Sequence, residues 1–561
     1  MTKDNVDFEK LFKEKKYSLI LSIIDKITED KKNSGLYNLS GVSKMCISHS
    51  HDSLESAIKD FRKAYLKEKS SPNAYHGLKN FINASMILFD NKFPNNELEI
   101  EQDTFGEIIK YYEENKNFFE KDFSNATSII KVFKKKLDTK KVIYHLKKIA
   151  EKEKANTDAL ASLCFHNNFL YDWKQGDYLK YSEILDQRLH QYPSDDLVNL
   201  EPDKSDIIRI GFLSPDIRRK HSVTYFLRTI LREYDTKKLV INLYLNNKIE
   251  DETTNEFKEY VSKTTNITDL SDIEAINIIR NDKLDILIDL SGFSSKHRLV
   301  LLKNRLSPIQ ISWCGYNNTL GVKEVDYLIT DKNLIYEKEH NQYSEKIIYM
   351  PEIWNCHSGF NFERLKNDLP AKKNNFITFG SFNNFLKIND DVIKVWSSIL
   401  KNIKNSKLIL KTSIPLSNTI ILKKFEQFGV NDSIKFLKYN KSFEEHLNEY
   451  KKIDIALDTF PWNGVTTSFE AIWMGVPVLT MKGFNFNSRC GESINKNLGL
   501  KELIAENQQD YVAKASSISG NRKKLEEIRN EIFVNALKSP LFDSKSFSKS
   551  FFECMKNIYK K

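Results

Sequence analysis

The stretch Asn463-Gly-Val-Thr-Thr-Ser-Phe-Glu470 decides how this chain is read. It follows Ile455-Ala-Leu457 and Asp458, an apolar run with the character of a buried strand. It precedes Ala471-Ile-Trp-Met-Gly-Val-Pro477, which reads as a short helix closed by Gly and Pro. A strand, a small-residue loop with two hydroxyls and a helix start together make an anion site. Backbone N–H groups and the positive end of the helix dipole converge there. Glu470, one turn into the helix, is placed to accept hydrogen bonds from a ribose. The expected ligand is a nucleotide diphosphate held by the second half of a large α/β protein. The same residues fit another reading, because Thr467-x-x-Glu470 is also the spacing of a helix capping box.

Outward from this stretch, strands alternate with helices. From Asp206 the apolar runs Ile207–Leu213, Leu239–Leu245, Ile286–Leu290, Pro308–Trp313 and Tyr327–Ile329 read as strands, with helices at Val223–Leu231 and Ile273–Ile279. The pattern breaks at Trp354–Lys373, where Pro, Asn and Lys cluster. It restarts with Phe376–Phe379, a helix over Asp390–Ile403, and strands at Leu408–Leu410, Ile434–Leu437, Asp454–Leu457 and Val478–Thr480. Such alternation predicts two doubly wound parallel sheets with a cleft outside the carboxyl ends of their strands. A last helix, Ser546–Tyr559, is expected to pack back on the body.

Residues up to about 195 have helical periodicity throughout, as in Leu19, Ile20, Ile23, Ile24 and Ile27. Ala57, Phe61 and Ala64, followed by Pro72-Asn-Ala-Tyr75-His-Gly-Leu78, have the spacing of a degenerate tetratricopeptide repeat. A plain helical bundle fits equally well, since no second clean copy follows.

The 40% hydrophobic and 29% charged content is that of a globular protein, and 86 basic against 76 acidic residues leave a net charge of +10 spread along the chain. No Arg-rich stripe or RNA-binding motif is present, so no nucleic acid partner is expected. Six scattered cysteines without a Cys-x-x-Cys pair read as reduced thiols. The polar amino terminus does not read as a signal peptide, and no apolar run reaches membrane-span length. A cytoplasmic protein is expected.

Three loops at strand ends carry candidate chemistry. His221, just before a helix near the tip of the opening strand, could accept or relay a proton; it could equally do no more than cap that helix. Lys387, in Gly380-Ser-Phe-Asn-Asn384-Phe-Leu-Lys387, could neutralise a departing diphosphate, or be one of many exposed lysines. His446 lies on a helix one face over from Tyr450. The glycines of Gln310–Gly321 could let the backbone approach a sugar or peptide, or form turns. No His/Cys/Asp cluster has metal-ligand spacing, so no metal is expected. The absence of a Gly-x-Gly-x-x-Gly or Walker loop argues against dehydrogenase and NTPase classes.

Taken in order, these segments resemble the protein O-linked N-acetylglucosamine transferases, in particular bacterial SPINDLY-like members of glycosyltransferase family 41. The likeness runs from about Tyr171 to the end. It is carried by Arg209-Ile-Gly-Phe-Leu-Ser-Pro-Asp216, Asp285-Ile-Leu-Ile-Asp-Leu-Ser-Gly292, Pro308-Ile-Gln-Ile-Ser-Trp-Cys-Gly-Tyr316, Phe382-Asn-Asn-Phe-Leu-Lys387, Glu445-His446 and Asn463-Gly-Val-Thr-Thr467. The resemblance implies a GT-B fold of two Rossmann-like lobes preceded by an all-α tetratricopeptide-like domain. The corresponding boundaries are 1–195 helical, 206–365 acceptor-side lobe, 374–545 nucleotide-sugar lobe and 546–561 terminal helix. It implies an inverting, metal-independent transfer of a sugar, from UDP-GlcNAc, to Ser or Thr of an acceptor protein or peptide, with no separate cofactor. Lys387 would hold the diphosphate with Asn384 beside it, and His446 would lie against the nucleotide. Thr466 and Thr467 would meet the phosphates, Glu470 would bind ribose and His221 would face the acceptor. Val465 stands where animal members carry histidine, which leaves other donors, UDP-glucose or GDP-fucose, open. A glycan acceptor and an inactive scaffold are the remaining alternatives.

Overall fold

A computed structural model describes residues 6–560 except 70, 91–96, 192–199, 201–204, 220, 295, 365, 412–414, 439 and 441. The boundaries expected at 195 and 365 therefore lie outside the described residues. The chain forms two compact units. One runs to Glu153 and includes Ile414–Ile420, and the other holds Lys154–Ser413 and Ile421–Lys561.

The first unit is helical. Ala57, Phe61 and Ala64 of the helix His51–Lys67 are fully buried, as their spacing predicts, against the helix Pro72–Asp90. The two helices approach closely because Gly77 has no side chain: a Cβ there would stand 2.7 Å from that of Ala64.

In the second unit, β1 (Ile208–Ser214), β2 (Leu239–Leu245), β3 (Lys263–Asn266), β4 (Ile286–Asp289), β5 (Ile309–Ser312), β6 (Tyr327–Asp331) and β7 (Lys346–Met350) form an all-parallel sheet in the order β3-β2-β1-β4-β5-β6-β7. A second parallel sheet holds β8 (Thr378–Ser381), β9 (Lys407–Lys411), β10 (Ile434–Leu437), β11 (Ile455–Leu457), β12 (Val478–Met481) and β13 (Ile504–Ala505) in the order β10-β9-β8-β11-β12-β13. The central strands β4, β8, β11 and β12 are buried along their whole length; β11 accordingly reads as an unbroken apolar run, and β4 and β12 are interrupted only by Asp289 and Thr480. The strand order reverses between β1 and β4 and again between β8 and β11. Ligands of such sheets bind at these switch points, beyond the strand carboxyl ends.

Three strands escaped the sequence reading. β3 is Lys-Thr-Thr-Asn on a sheet edge, partly exposed and without an apolar pattern. β7 and the two-residue β13 close the opposite edges. The opening strand of the second sheet is Thr378–Ser381, two residues beyond the Phe376–Phe379 expected. The helices Thr157–Asn167 and Gln175–Leu189, expected with the helical domain, belong to the second unit. Their polar residues account for this: Gln175 Nε2 donates to Asn318 Oδ1 at 2.7 Å, and Asn487 Nδ2 donates to Asn168 Oδ1 at 2.8 Å. The terminal helix Ser544–Tyr559 packs on the first lobe, where Phe551 meets Trp313 at 4.8 Å between ring centroids. Among the described residues, no helix is long and apolar enough to cross a membrane.

Candidate functional site

The loop after β11 is shaped by the buried carboxylate of Asp458. Its Oδ1 accepts from the N–H of Gly464 at 2.6 Å and of Thr459 at 2.9 Å, and its Oδ2 accepts from Thr480 Oγ1 at 2.7 Å. Burial pushes this carboxyl up to about 6 in spite of those donors. Asn463 closes the loop on the other side: its Nδ2 donates to the Thr459 carbonyl and its Oδ1 accepts from Gly491 N. Gly464 is obligatory at this point. A Cβ would stand 2.6 Å from Thr467 Oγ1, 2.8 Å from Asn383 Oδ1 and 3.1 Å from Asp458 Oδ1.

The helix Thr466–Trp473 begins directly after this loop. Its first N–H groups have no carbonyl one turn back, and Val465 at the N-cap supplies no side-chain acceptor. The amides of Thr466 and Thr467 donate no hydrogen bond among the described residues. The helix ends at Gly475, whose φ of +73° only glycine adopts without strain. The capping-box reading of Thr467 and Glu470 fails. Thr467 lies inside the helix, where its Oγ1 donates to Asn383 Oδ1 at 3.0 Å, and the Glu470 carboxylate is engaged elsewhere.

Lys387 comes from the loop at the end of β8, the neighbour of β11 across the switch point. It is not one of the solvated surface lysines. Its ammonium donates to the Asn463 carbonyl at 2.7 Å and lies 5.0 Å from the centre of the Trp462 ring. Burial pulls its pKa down to about 8, and the Asp458 charge opposes that fall. Asn384 is exposed and spends its Oδ1 on the N–H of Leu386 at 3.0 Å, capping the short turn that carries Lys387. The asparagine that reaches the Thr467 hydroxyl is its neighbour, Asn383.

His446, on the helix Phe443–Asn448, is half-buried among Phe382, Phe443 and Tyr450. Its Nε2 lies 3.1 Å from Glu470 Oε2, and Lys411 Nζ lies 2.5 Å from its Nδ1. Tyr450 donates its hydroxyl to the same Glu470 oxygen at 3.0 Å. A histidine that looks idle from its helical position thus stands in a polar chain with Lys411, Glu470 and Tyr450.

The first lobe contributes His221. It is the N-cap residue of the helix Ser222–Leu231, but its side chain caps nothing. The ring Nε2 lies 3.4 Å from Asp216 Oδ1, and the buried Nδ1 makes no hydrogen bond among the described residues. Burial lowers its pKa, so the imidazole is neutral near pH 7. The same helix joins the lobes: Tyr225 stacks on Phe443 at 5.9 Å, and Phe226 meets Phe469, the neighbour of Glu470, at 5.5 Å. His357 fills the space between, 4.7 Å from Tyr225 and 5.7 Å from Phe469, and burial pulls its pKa down to about 3.

A family model described as glycosyl transferase family 41 matches residues 178–367 and 363–551. The chain belongs to glycosyl transferase family 41. A barley (Hordeum vulgare) protein named probable UDP-N-acetylglucosamine–peptide N-acetylglucosaminyltransferase SPINDLY is 34% identical over 352 residues, which are 61% of this chain and 37% of that protein. The Arabidopsis thaliana protein of the same name is 32% identical over 386 residues, 67% of this chain and 42% of its own length. This family 41 chain thus spans well under half the length of these relatives. Among solved structures, a mutant of the Thermobaculum terrenum O-GlcNAc transferase superposes with a TM-score of 0.79 at 21% identity, covering 94% of this chain and 98% of that one. The shared fold is the two-lobed GT-B arrangement behind a helix-rich amino-terminal region.

Sequence reasoning missed Asp458, Asn383, Trp462 and Lys411, and it left the Gln310–Gly321 loop open. The latter is interior packing: a Cβ at Gly315 would meet the Leu290 carbonyl oxygen at 1.8 Å, and Thr319 Oγ1 donates to Glu345 Oε2 at 2.8 Å. The one cluster of metal-ligating type among the described residues joins Asp186 and His190, one helical turn apart, to Glu324 from a distant segment. There His190 Nε2 is 3.1 Å from Glu324 Oε1, and Lys323 Nζ is 3.5 Å from Asp186 Oδ2.

Proposed function

We propose that this family 41 chain transfers N-acetylglucosamine from UDP-N-acetylglucosamine to Ser or Thr hydroxyls of an acceptor protein. The transfer inverts the anomeric carbon and needs no metal ion. The observation that supports this best is the meeting of an enclosed ammonium, Lys387, with the loop that opens the helix Thr466–Trp473. The diphosphate lies on the amides of Thr466 and Thr467 and on the Thr466 hydroxyl, with Lys387 and Asn384 beside it. As the acceptor oxygen attacks the anomeric carbon and the diphosphate departs, negative charge grows on the leaving oxygen. An ammonium in a site of low dielectric, with a helix start aimed at the same point, stabilises that charge without a divalent cation. His446 lies against the nucleotide, Glu470 takes the ribose hydroxyls, and the proton of the acceptor leaves at or near His221. A neutral imidazole next to the Asp216 carboxylate is suited to that task. The names borne by the relatives support the donor and the protein acceptor.

The test is release of nucleotide diphosphate from a panel of nucleotide sugars by the wild type and Lys387→Ala. UDP-N-acetylglucosamine is expected to be turned over, with a loss of at least about a hundredfold in the variant. Turnover of no donor, or an unchanged Lys387→Ala rate, would refute the proposal.

A further inference from the structure

Lys411 is the last residue of β9, and its buried stem delivers the ammonium to His446. Nζ also donates to Asn440 Oδ1, which holds it in place. An ammonium has three protons and no lone pair, so the nitrogen it faces must accept. Nδ1 of His446 is therefore unprotonated, and the neutral ring carries its proton on Nε2. Nε2–H then points at Glu470 Oε2, 3.1 Å away. Tyr450 donates to that same oxygen at 3.0 Å. Two donors fill Oε2, while Oε1 takes no partner from the described residues and keeps its lone pairs to accept from a vicinal diol.

We infer that Lys411 is a positioning residue for nucleotide recognition: it holds His446 as the Nε2–H tautomer and so aims Glu470 Oε1 at the ribose hydroxyls. The inference rests on the nucleotide-sugar reading of this site and adds a residue from outside the Asn463–Glu470 loop. Without Lys411 the imidazole is free to carry its proton on Nδ1. A lone pair on Nε2 would then face the carboxylate, and Glu470 would turn away from it.

The experiment has two readouts on the full chain. Nitrogen-15 histidine NMR near neutral pH, with the His446 signals assigned by their loss in His446→Gln, reports the tautomer without any ligand. Titration with UDP and with pyrophosphate separates ribose contacts from phosphate contacts. The wild type is expected to show an unprotonated Nδ1 and a protonated Nε2. Lys411→Met is expected to lose that signature and to bind UDP about tenfold more weakly, with pyrophosphate affinity unchanged. Lys411→Arg, which keeps the donor, is expected to restore both; unchanged pyrophosphate binding in Lys411→Met shows that this variant is folded. A wild-type proton on Nδ1, an unchanged tautomer in Lys411→Met, or equal weakening of UDP and pyrophosphate would overturn the inference. Should the wild type bind no UDP, the nucleotide reading fails and takes the ribose half with it. The histidine signature still decides the tautomer lock.

Discussion

Lys387 is charged below about 8 in the free protein and neutral above it, because burial disfavours the ammonium. Only the charged form attracts a diphosphate. UDP affinity is therefore expected to hold up to that pH and then to fall by about tenfold per pH unit. Asp458 sets where the fall begins, since its carboxylate is the charge that supports the ammonium. In Asp458→Asn the amide oxygen can still accept from Gly464 and Thr459, but the counter-charge is gone. The alkaline fall should move to lower pH in that variant, as calorimetric titration of UDP across the pH range would show. Coincident profiles for wild type and Asp458→Asn would contradict the assignment. These two residues also show what the sequence could disclose. Lys387 stood in a strand-end loop and could be suspected. Asp458 read as the tail of an apolar strand, and nothing in its neighbourhood revealed that three donors converge on it.

At the scale of elements, the loop and helix of Asn463–Trp473 behave as one piece. Gly464→Ala would drive a methyl group into Thr467 Oγ1 and Asn383 Oδ1. The loop must then move off Lys387. The expected cost is about 1–3 kcal/mol in stability, with UDP affinity reduced further than that loss alone explains. Denaturant unfolding and UDP titration of the same sample check both parts. Elements of this kind were legible to different degrees. The central strands β4, β11 and β12 showed as largely apolar runs because both faces are covered, and the strand–loop–helix order placed Thr466 and Thr467. The edge strand β3, with Lys and Asn at its ends, had no such mark. The capping-box spacing was real but misleading, because the helix starts at Thr466 and Glu470 faces Tyr450 and His446. Partnerships such as Asn383 with Thr467, 84 residues apart, or Lys411 with His446, 35 apart, exist only once the sheet brings β8, β9 and β11 together.

At the scale of the whole molecule, the two lobes are fastened on more than one side of the site. Arg489 of the second lobe forms a paired contact with Glu339 of the first, at 2.6 and 2.8 Å, and stacks on Tyr336 at 4.2 Å. Tyr225 and Phe226 make the aromatic contact with Phe443 and Phe469. Phe169, ahead of both lobes, packs on Trp462 of the second at 4.8 Å, and its carbonyl accepts from Asn389 Nδ2 at 3.0 Å. Trp462 also covers the Lys387 ammonium, so the segment ahead of the lobes supports the site itself. A ligand that binds only this assembled form must stabilise it, by about 2.7 kcal/mol at a concentration a hundredfold above its Kd. UDP is expected to raise the melting temperature, and Lys387→Ala to lose most of that gain. Equal stabilisation of both proteins would place the nucleotide elsewhere. The proposed transfer of a sugar onto protein hydroxyls is tested by mass spectrometry of an acceptor protein incubated with UDP-N-acetylglucosamine. One added N-acetylhexosamine mass per modified Ser or Thr is expected with the wild type and none with Lys387→Ala. Modification by both proteins alike, or sugar found only as the free hydrolysis product, would contradict it.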